Sequence, residues 1–269
     1  MSLALNYLLM PRNWIQLVFS PGVYLGLVCE QWTNESNAVV SIRRIMPDAN
    51  IYLVGDGHPD GPWWKQTQKE VPGIRLIYRT EISFVFERRI ALPEHMSDIA
   101  RLQILLLSGG IYLDLDIVFV KSIEELRQYD LTMGLMDKGT GMGNGLILAK
   151  PCSSFLTFWY ASYRTFDKSQ WGVHSMKHPY LLSIVFPDLI HVEKERIYSP
   201  NWFEIEKLFV QRVPWDKNIA VHIWHRHKYP LPKDFDDLAH LNTTLGEILR
   251  YVYYRNKQIR DGSKEPKKS

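Results

Sequence analysis

Cysteine is nearly absent: the 269 residues include only Cys29 and Cys152. A disulfide framework and a cysteine-rich zinc site are therefore excluded, and spacing cannot argue for a single bridge. Internal repeats, low-complexity tracts and Gly/Ser linkers are also missing, so residues 1–254 read as one domain. Neither sign of charge dominates. Lys and Arg number 32 and Asp and Glu 29, a formal net charge of +3, too balanced to mark a nucleic-acid binder. The longest uncharged apolar stretch, Asn13 to Cys29, is interrupted by Pro21-Gly22, Gln16 and Ser20 and sits at the lower limit for a membrane span. Val23 to Cys29 reads as a buried strand entered by a turn at Pro21-Gly22, with a short anchor as the alternative.

What is present is ordinary globular composition, with 46% hydrophobic and 23% charged residues, which excludes collagen-like and wholly disordered chains. A chain of this length buries roughly three quarters of its unfolded surface. The charge is unevenly spread. Residues 255–269 hold Arg255, Lys257, Arg260, Lys264, Lys267 and Lys268 against Asp261 and Glu265. They form a basic tail expected to be solvated, and the body is left slightly acidic. Two glycosylation triplets, Asn34-Glu35-Ser36 and Asn242-Thr243-Thr244, carry meaning only in a secreted chain.

Apolar spacing predicts a helix over Ser36–Met46, stopped by Pro47, and strands over Ile51–Val54 and Ile74–Tyr78 with a helix over Trp63–Glu70 between them. With Val23–Cys29 this is a β-α-β-α-β start, which argues for a parallel sheet covered by helices. Pro93 opens a helix that Gly109-Gly110 end. It is apolar nearly all round, hence buried, except for Asp98 and Arg101, which share a face at i, i+3. A strand pattern follows directly over Ile111–Val120, broken by Asp114 and Asp116. Further on, strands are expected at Leu131–Met136 and Leu146–Ala149, with a loop over Lys138–Gly145, and at Ile219–Trp224. The aromatic helix Ser153–Phe166 reads as core, and Trp63-Trp64, beside a turn, as the better candidate for a pocket wall.

The carboxylate pair carries the chemistry. In a strand Asp114 and Asp116 would face the same side. Two carboxylates in an apolar strand are costly if buried and unpaired, and a divalent cation at the strand end removes that cost. Hard oxygen ligands suit Mg²⁺ or Mn²⁺, which bridge phosphates. The plain alternative is a strand ending at the surface. An Asp-x-Asp after an apolar strand also serves phosphatases of the haloacid-dehalogenase type, whose first Asp is a nucleophile. Lys233 and Asp236-Asp237 are available for that reading, but the motif normally opens such a domain.

The longer pattern resembles a known family. Ser97-Asp98-Ile99-Ala100-Arg101 followed by Gly109-Gly110-Ile111-Tyr112-Leu113-Asp114-Leu115-Asp116 is similar to glycosyltransferases with a DXD-containing sugar-binding region, the group of the yeast initiating α-1,6-mannosyltransferase and the animal α-1,4-galactosyltransferases. Gly55-Asp56-Gly57, Gly61-Pro62-Trp63-Trp64, Gly143-Asn144-Gly145 and Ala220-Val221-His222-Ile223-Trp224 extend the match. The resemblance implies an α/β fold of GT-A type, a mostly parallel central sheet flanked by helices. It implies a metal-dependent transferase that retains anomeric configuration and moves a hexose from a nucleotide-diphosphate sugar to a glycan or glycolipid, in the Golgi or secretory pathway. Asp98, Arg101 and Tyr112 would hold the donor, Asp114 and Asp116 the Mn²⁺ or Mg²⁺ with His222, and Asn144 would approach the transferred sugar. For Asp98 and Arg101 a helix ion pair, for His222 a solvated or core histidine, and for Asn144 a turn are the alternatives from the residues alone. The family's first strand usually carries Pro…Ile/Val-His…Trp, which Met1 to Glu30 does not reproduce. A non-catalytic sugar-binding protein on the same scaffold is the competing reading.

Overall fold

The computed structural model describes residues 23–26, 36–55, 57, 59–137, 141–224, 229–232 and 235–259. The first part of the chain forms β1 (Val23–Gly26), α1 (Ser36–Ile45), β2 (Ile51–Gly55), α2 (Pro62–Glu70), β3 (Arg75–Tyr78) and a small hairpin of β4 (Phe84–Val85) and β5 (Arg88–Arg89). Next come α3 (Pro93–Ser108), β6 (Gly110–Asp114), β7 (Ile117–Phe119), β8 (Leu131–Asp137) and β9 (Gly141–Ala149). The last part holds α4 (Ser154–Ser162), α5 (His178–Val185), β10 (His191–Glu193), α6 (Glu206–Phe209), β11 (Ala220–His222), α7 (Phe235–His240) and α8 (Thr244–Tyr254).

The seven-stranded sheet runs β10-β8-β9-β6-β1-β2-β3. Strand β1 pairs in parallel with both β2 and β6, and β2 with β3. Strand β9 is antiparallel to its two neighbours, and β10 is parallel to β8. The expected architecture, an α/β fold with a mostly parallel sheet flanked by helices, is what forms. Period-two alternation builds the two cores. Ile51, Leu53, Ile111 and Leu113 pack with Val39 and Ile42 of α1 and Ile248 and Leu249 of α8. Tyr52, Val54, Tyr112 and Ile147 pack on the other side with Ile99 and Leu102 of α3 and Phe155 and Trp159 of α4. The aromatic helix is thus core, as its spacing implied, although Phe158 is exposed.

Chain order reverses where β1 separates β2 from β6. In such sheets a crevice opens beyond the carboxyl ends of the strands at that point. Asp114 ends β6 there, paired in register with Gly26. Helix α3 has Pro93 in its first turn and ends at Gly109, whose φ is +60°. A side chain at Gly109 would strike Pro151 N at 2.5 Å, so glycine alone allows the helix to turn directly into β6.

The structure corrects several expectations. Residues Ile111–Val120 are not one strand. The chain turns at Leu115-Asp116, and β7 leaves the main sheet to pair antiparallel with β11. Asp114 and Asp116 therefore meet across a turn, not along a strand face. The loop expected over 138–145 is also wrong for 141–145, which belong to β9. Asn144 is a strand residue, and the turn reading fails for it. Glycine marked the segment as a loop, but tight packing is what demands glycine there. Trp64 is buried at 7% exposure in the core and forms no pocket wall. The hairpin β4–β5 and strand β10 gave no pattern long enough to read. Part of the expected tail is docked: Lys257 sits 4.1 Å over the Trp215 ring, and Arg255 donates to Arg44 O at 3.2 Å. Residues 27–29 of the expected first strand, Lys233, and Asn34 of the first triplet lie outside the described residues. No helix among the described residues is long and apolar enough to cross a membrane.

Candidate active site at the carboxyl end of the sheet

A cleft of about 400 Å³ opens beyond β6 and holds Asp98, Arg101, Asp114, Asp116, Asn144 and His222 in its wall. Elements far apart in sequence supply them: α3, β6, the turn after it, β9 and β11. Tyr112 lies one layer beneath, buried at 3%.

Arg101 is the hub. It is 5% exposed, and a buried guanidinium must be fully paired to be tolerated. Its Nη1 donates to Asn144 O at 2.8 Å and lies 3.4 Å from Asp114 Oδ1. Its Nη2 donates to Ser97 Oγ at 2.9 Å and lies 3.5 Å from Asp98 Oδ1. The plane stands 4.4 Å over the Tyr112 ring. Burial pulls this guanidinium down, but Tyr112, Asp114 and Asp98 together hold it above its ordinary range. The i, i+3 pair is more than the exposed helix ion pair that spacing alone allowed.

Asp98 is 8% exposed. It accepts from Asn144 Nδ2 at 2.7 Å. Burial raises its pKa, while Arg101 acts against that rise. Tyr112 donates its hydroxyl to Asp114 Oδ1 at 2.8 Å. Burial pushes that phenol well above its usual range, so it stays a donor.

Gly143 and Gly145, which flank Asn144, have a packing reason. A Cβ on Gly143 would stand 2.2 Å from the Tyr198 ring, and one on Gly145 would stand 2.7 Å from Asp114 Oδ2. Only hydrogen fits between these neighbours. Tyr198 is a site-wall residue that sequence reading missed. Its hydroxyl accepts from Leu146 N at 3.0 Å, and burial raises its pKa. It sits in an irregular stretch with no periodic signal to mark it.

Asp114, Asp116 and His222 converge. One ligand atom from each lies within 4.8 Å of the others. His222 Nε2 is 3.0 Å from Asp116 Oδ1, and its Nδ1 is buried with no partner among the described residues. Ile223 N donates to Asp116 O at 2.7 Å, which ties the end of β11 to the turn. Trp224 stacks on the imidazole at 3.7 Å. Trp224 has φ +58°, a left-handed conformation rare for a bulky residue and often found at functional sites. The donor set fits a hard divalent ion. Adjacent ligands of an octahedral ion with bonds of about 2.1 Å stand about 3 Å apart, as the Asp116 and His222 atoms do. His225 and His227 lie outside the described residues. Asp236-Asp237, which the phosphatase reading needs, stand on α7 and do not line the cleft.

Residues 33–132 match the family model described as a glycosyltransferase sugar-binding region containing a DXD motif. The chain is 33% identical over 179 residues to "Glucan organizing enzyme 1" of Cryptococcus neoformans var. grubii serotype A (strain H99), covering 62% of this chain and 48% of that protein. The chain thus spans about half the length of this curated relative. Among solved structures, the apo-form glycosyltransferase GlyE of Streptococcus pneumoniae TIGR4 matches at 14% identity and TM-score 0.48, covering 88% of this chain and 64% of that one. The galactosyltransferase LgtC, solved with donor and acceptor sugar analogues, matches at 12% identity and TM-score 0.42, covering 89% and 98%.

Proposed function

We propose that this chain is a GT-A type, metal-dependent, retaining glycosyltransferase that moves a hexose from a nucleotide-diphosphate sugar to a glycan or glycolipid acceptor. The observation that carries this reading is the meeting of Asp114, Asp116 and His222 beside the buried Asp98–Arg101–Asn144 network. The name of the Cryptococcus relative, a glucan organizing enzyme, favours a glucan among acceptors. Action within the secretory pathway belongs to the same proposal, as does the treatment of residues 1–254 as one catalytic domain.

Departure of the leaving group puts negative charge on a diphosphate. Asp114, Asp116 and His222 would hold a Mn²⁺ or Mg²⁺ ion, which would supply neutralisation of that charge without proton transfer. Arg101 lies against Oδ1 of Asp114, so the carboxylate is oriented before donor binds. Asp98 accepts from sugar hydroxyls, and the Asn144 amide holds it in place. The Tyr112 hydroxyl also donates to Oδ1 of Asp114 and helps fix that carboxylate.

A panel of UDP-galactose, UDP-glucose, UDP-N-acetylglucosamine and GDP-mannose with Mn²⁺ tests the proposal. Hydrolysis or transfer from one of them, abolished in Asp116→Ala, is expected. No turnover of any donor with either ion overturns it. Mn²⁺-dependent donor binding without turnover is the result expected of a non-catalytic sugar-binding protein, the reading favoured by the missing base-binding pattern in Met1 to Glu30.

A further inference from the structure

We propose that Trp171 is the platform on which the acceptor sugar stacks, a specificity-determining residue of the transferase site. The inference rests on the transferase reading above. Trp171 is 59% exposed and is one of the residues lining the cleft that contains the Asp98–Arg101–Asp114 network. Beside its carboxylates, arginine and amides the wall also holds Tyr198 and Trp224, but Tyr198 is buried and Trp224 is stacked on His222, so Trp171 is the aromatic side chain of this wall with most of its surface open to a ligand. Sugars present hydroxyl edges to polar groups and C–H faces to aromatic rings, so the two kinds of wall serve different parts of a glycan.

Position along α3 assigns the platform to the acceptor. Arg101 touches Asp114 and so marks the metal end. Asp98 lies three residues nearer the helix start, and His95 three nearer still, each step about 4.5 Å along the axis. The Trp171 ring rests against His95, with centroids 5.5 Å apart. Trp171 therefore stands one helical turn beyond the group assigned to the donor sugar, on the side away from the metal ligands. A second sugar stacked there would stand beside the donor sugar.

The platform is built rigidly. His95, 4% exposed, is wedged between Trp171 and the edge of Phe166, which lies 5.1 Å away. Its Nδ1 has no partner among the described residues. Asp167 accepts from Ser169 N at 2.9 Å, Ser169 Oγ at 2.7 Å and Gln170 Nε2 at 3.2 Å, which pins the loop leading in. Gly172 follows with φ +70°, and a Cβ there would meet Met176 Cε at 2.3 Å. Residues Val173–Lys177 then form a π-helix, a form concentrated at functional sites. A ring held before ligand arrives costs little ordering entropy on binding.

Two measurements on the full chain test this. In transfer assays, Trp171→Ala is expected to raise the acceptor KM at least roughly tenfold while the donor KM moves less than about twofold. Trp171→Tyr is expected to return the acceptor KM to within about threefold, since it restores an aromatic face. An unchanged acceptor KM, or donor and acceptor KM rising together, overturns the assignment. Saturation-transfer NMR with maltohexaose and laminarihexaose needs no turnover. The unsubstituted chain is expected to saturate ring C–H protons of at least one of them, and Trp171→Ala to lose that signal with an unchanged circular dichroism spectrum. No saturation of either glycan by the unsubstituted chain, or equal saturation in the alanine variant, overturns the platform. Glycan binding that depends on Trp171, in a chain that turns over no donor, supports the platform and removes the transferase reading alone.

Discussion

Asn144 donates its side-chain amide to the buried carboxylate of Asp98 across 2.7 Å, and its own carbonyl accepts from Arg101 at 2.8 Å. This joins the middle of β9 to the inner face of α3. Asn144→Ala takes one hydrogen-bond partner from the largely buried Asp98 carboxylate. An unsatisfied buried group costs about 1–3 kcal/mol. Urea unfolding is expected to show a loss in that range, and donor binding is expected to weaken. An unchanged midpoint contradicts the pairing.

Removal of the metal should silence the chain. EDTA is expected to abolish donor turnover, and Mn²⁺ to restore it. Asp116→Ala and His222→Ala each remove one of three converging ligand atoms. Each is expected to weaken Mn²⁺ binding roughly 100-fold or more, read by titration calorimetry. An affinity within about threefold of the unsubstituted chain removes that residue from the ligand set.

Gly143 and Gly145 should fail in different ways when changed to alanine. A Cβ at Gly145 meets Asp114 Oδ2 at 2.7 Å, the end of a side chain proposed to hold the metal. Gly145→Ala is expected to displace that carboxylate and weaken Mn²⁺ binding, with little loss of stability. A Cβ at Gly143 meets the buried Tyr198 ring at 2.2 Å. Gly143→Ala is expected to cost about 1–3 kcal/mol by overpacking. Comparing calorimetric unfolding with Mn²⁺ titration in both variants separates the two effects, and identical profiles refute the distinction.

Acid should destabilise the fold through His174. Burial first, and His178 second, lower its pKa from 6.5 to about 4. The unfolded chain takes up this proton near pH 6.5 and the folded chain only near pH 4. Stability from this group is fully present above pH 6.5 and falls as pH drops toward 4. The loss is of order 2 kcal/mol once partial screening by solvent is allowed for. His174→Leu is expected to flatten that limb of the pH–stability curve. A slope unchanged by the substitution assigns the acid loss to other groups.

Local order was largely legible in the sequence. The spacing of Ala38, Val39 and Ile42, the Pro93 start and Gly109 stop of α3, and the apolar runs of β2 and β6 each state their element by period and punctuation. Asp98, Arg101, Asp114 and Asp116 stood out because polar groups in apolar surroundings need a reason, whereas Asn144 was reached only through the family resemblance. The bend at Leu115-Asp116 was not legible, because β7 changes sheets to pair with β11, about a hundred residues away. Tyr198, Trp171 and His95 carried no local signal, since each gains its place only from what packs against it.

The sequence by itself determined a helix-and-strand α/β chain, a buried Asp/Arg pair and a carboxylate pair suited to a divalent ion. Those features follow from period, composition and the cost of burying charge, all of which are local. Only the tertiary structure decided that Arg101 binds Asp98, Asn144 and Asp114 at once, that His222 reaches Asp116, and that Gly143 and Gly145 are glycines for want of space. These depend on which distant segments the sheet order brings to one edge, and no period in the chain encodes that distance.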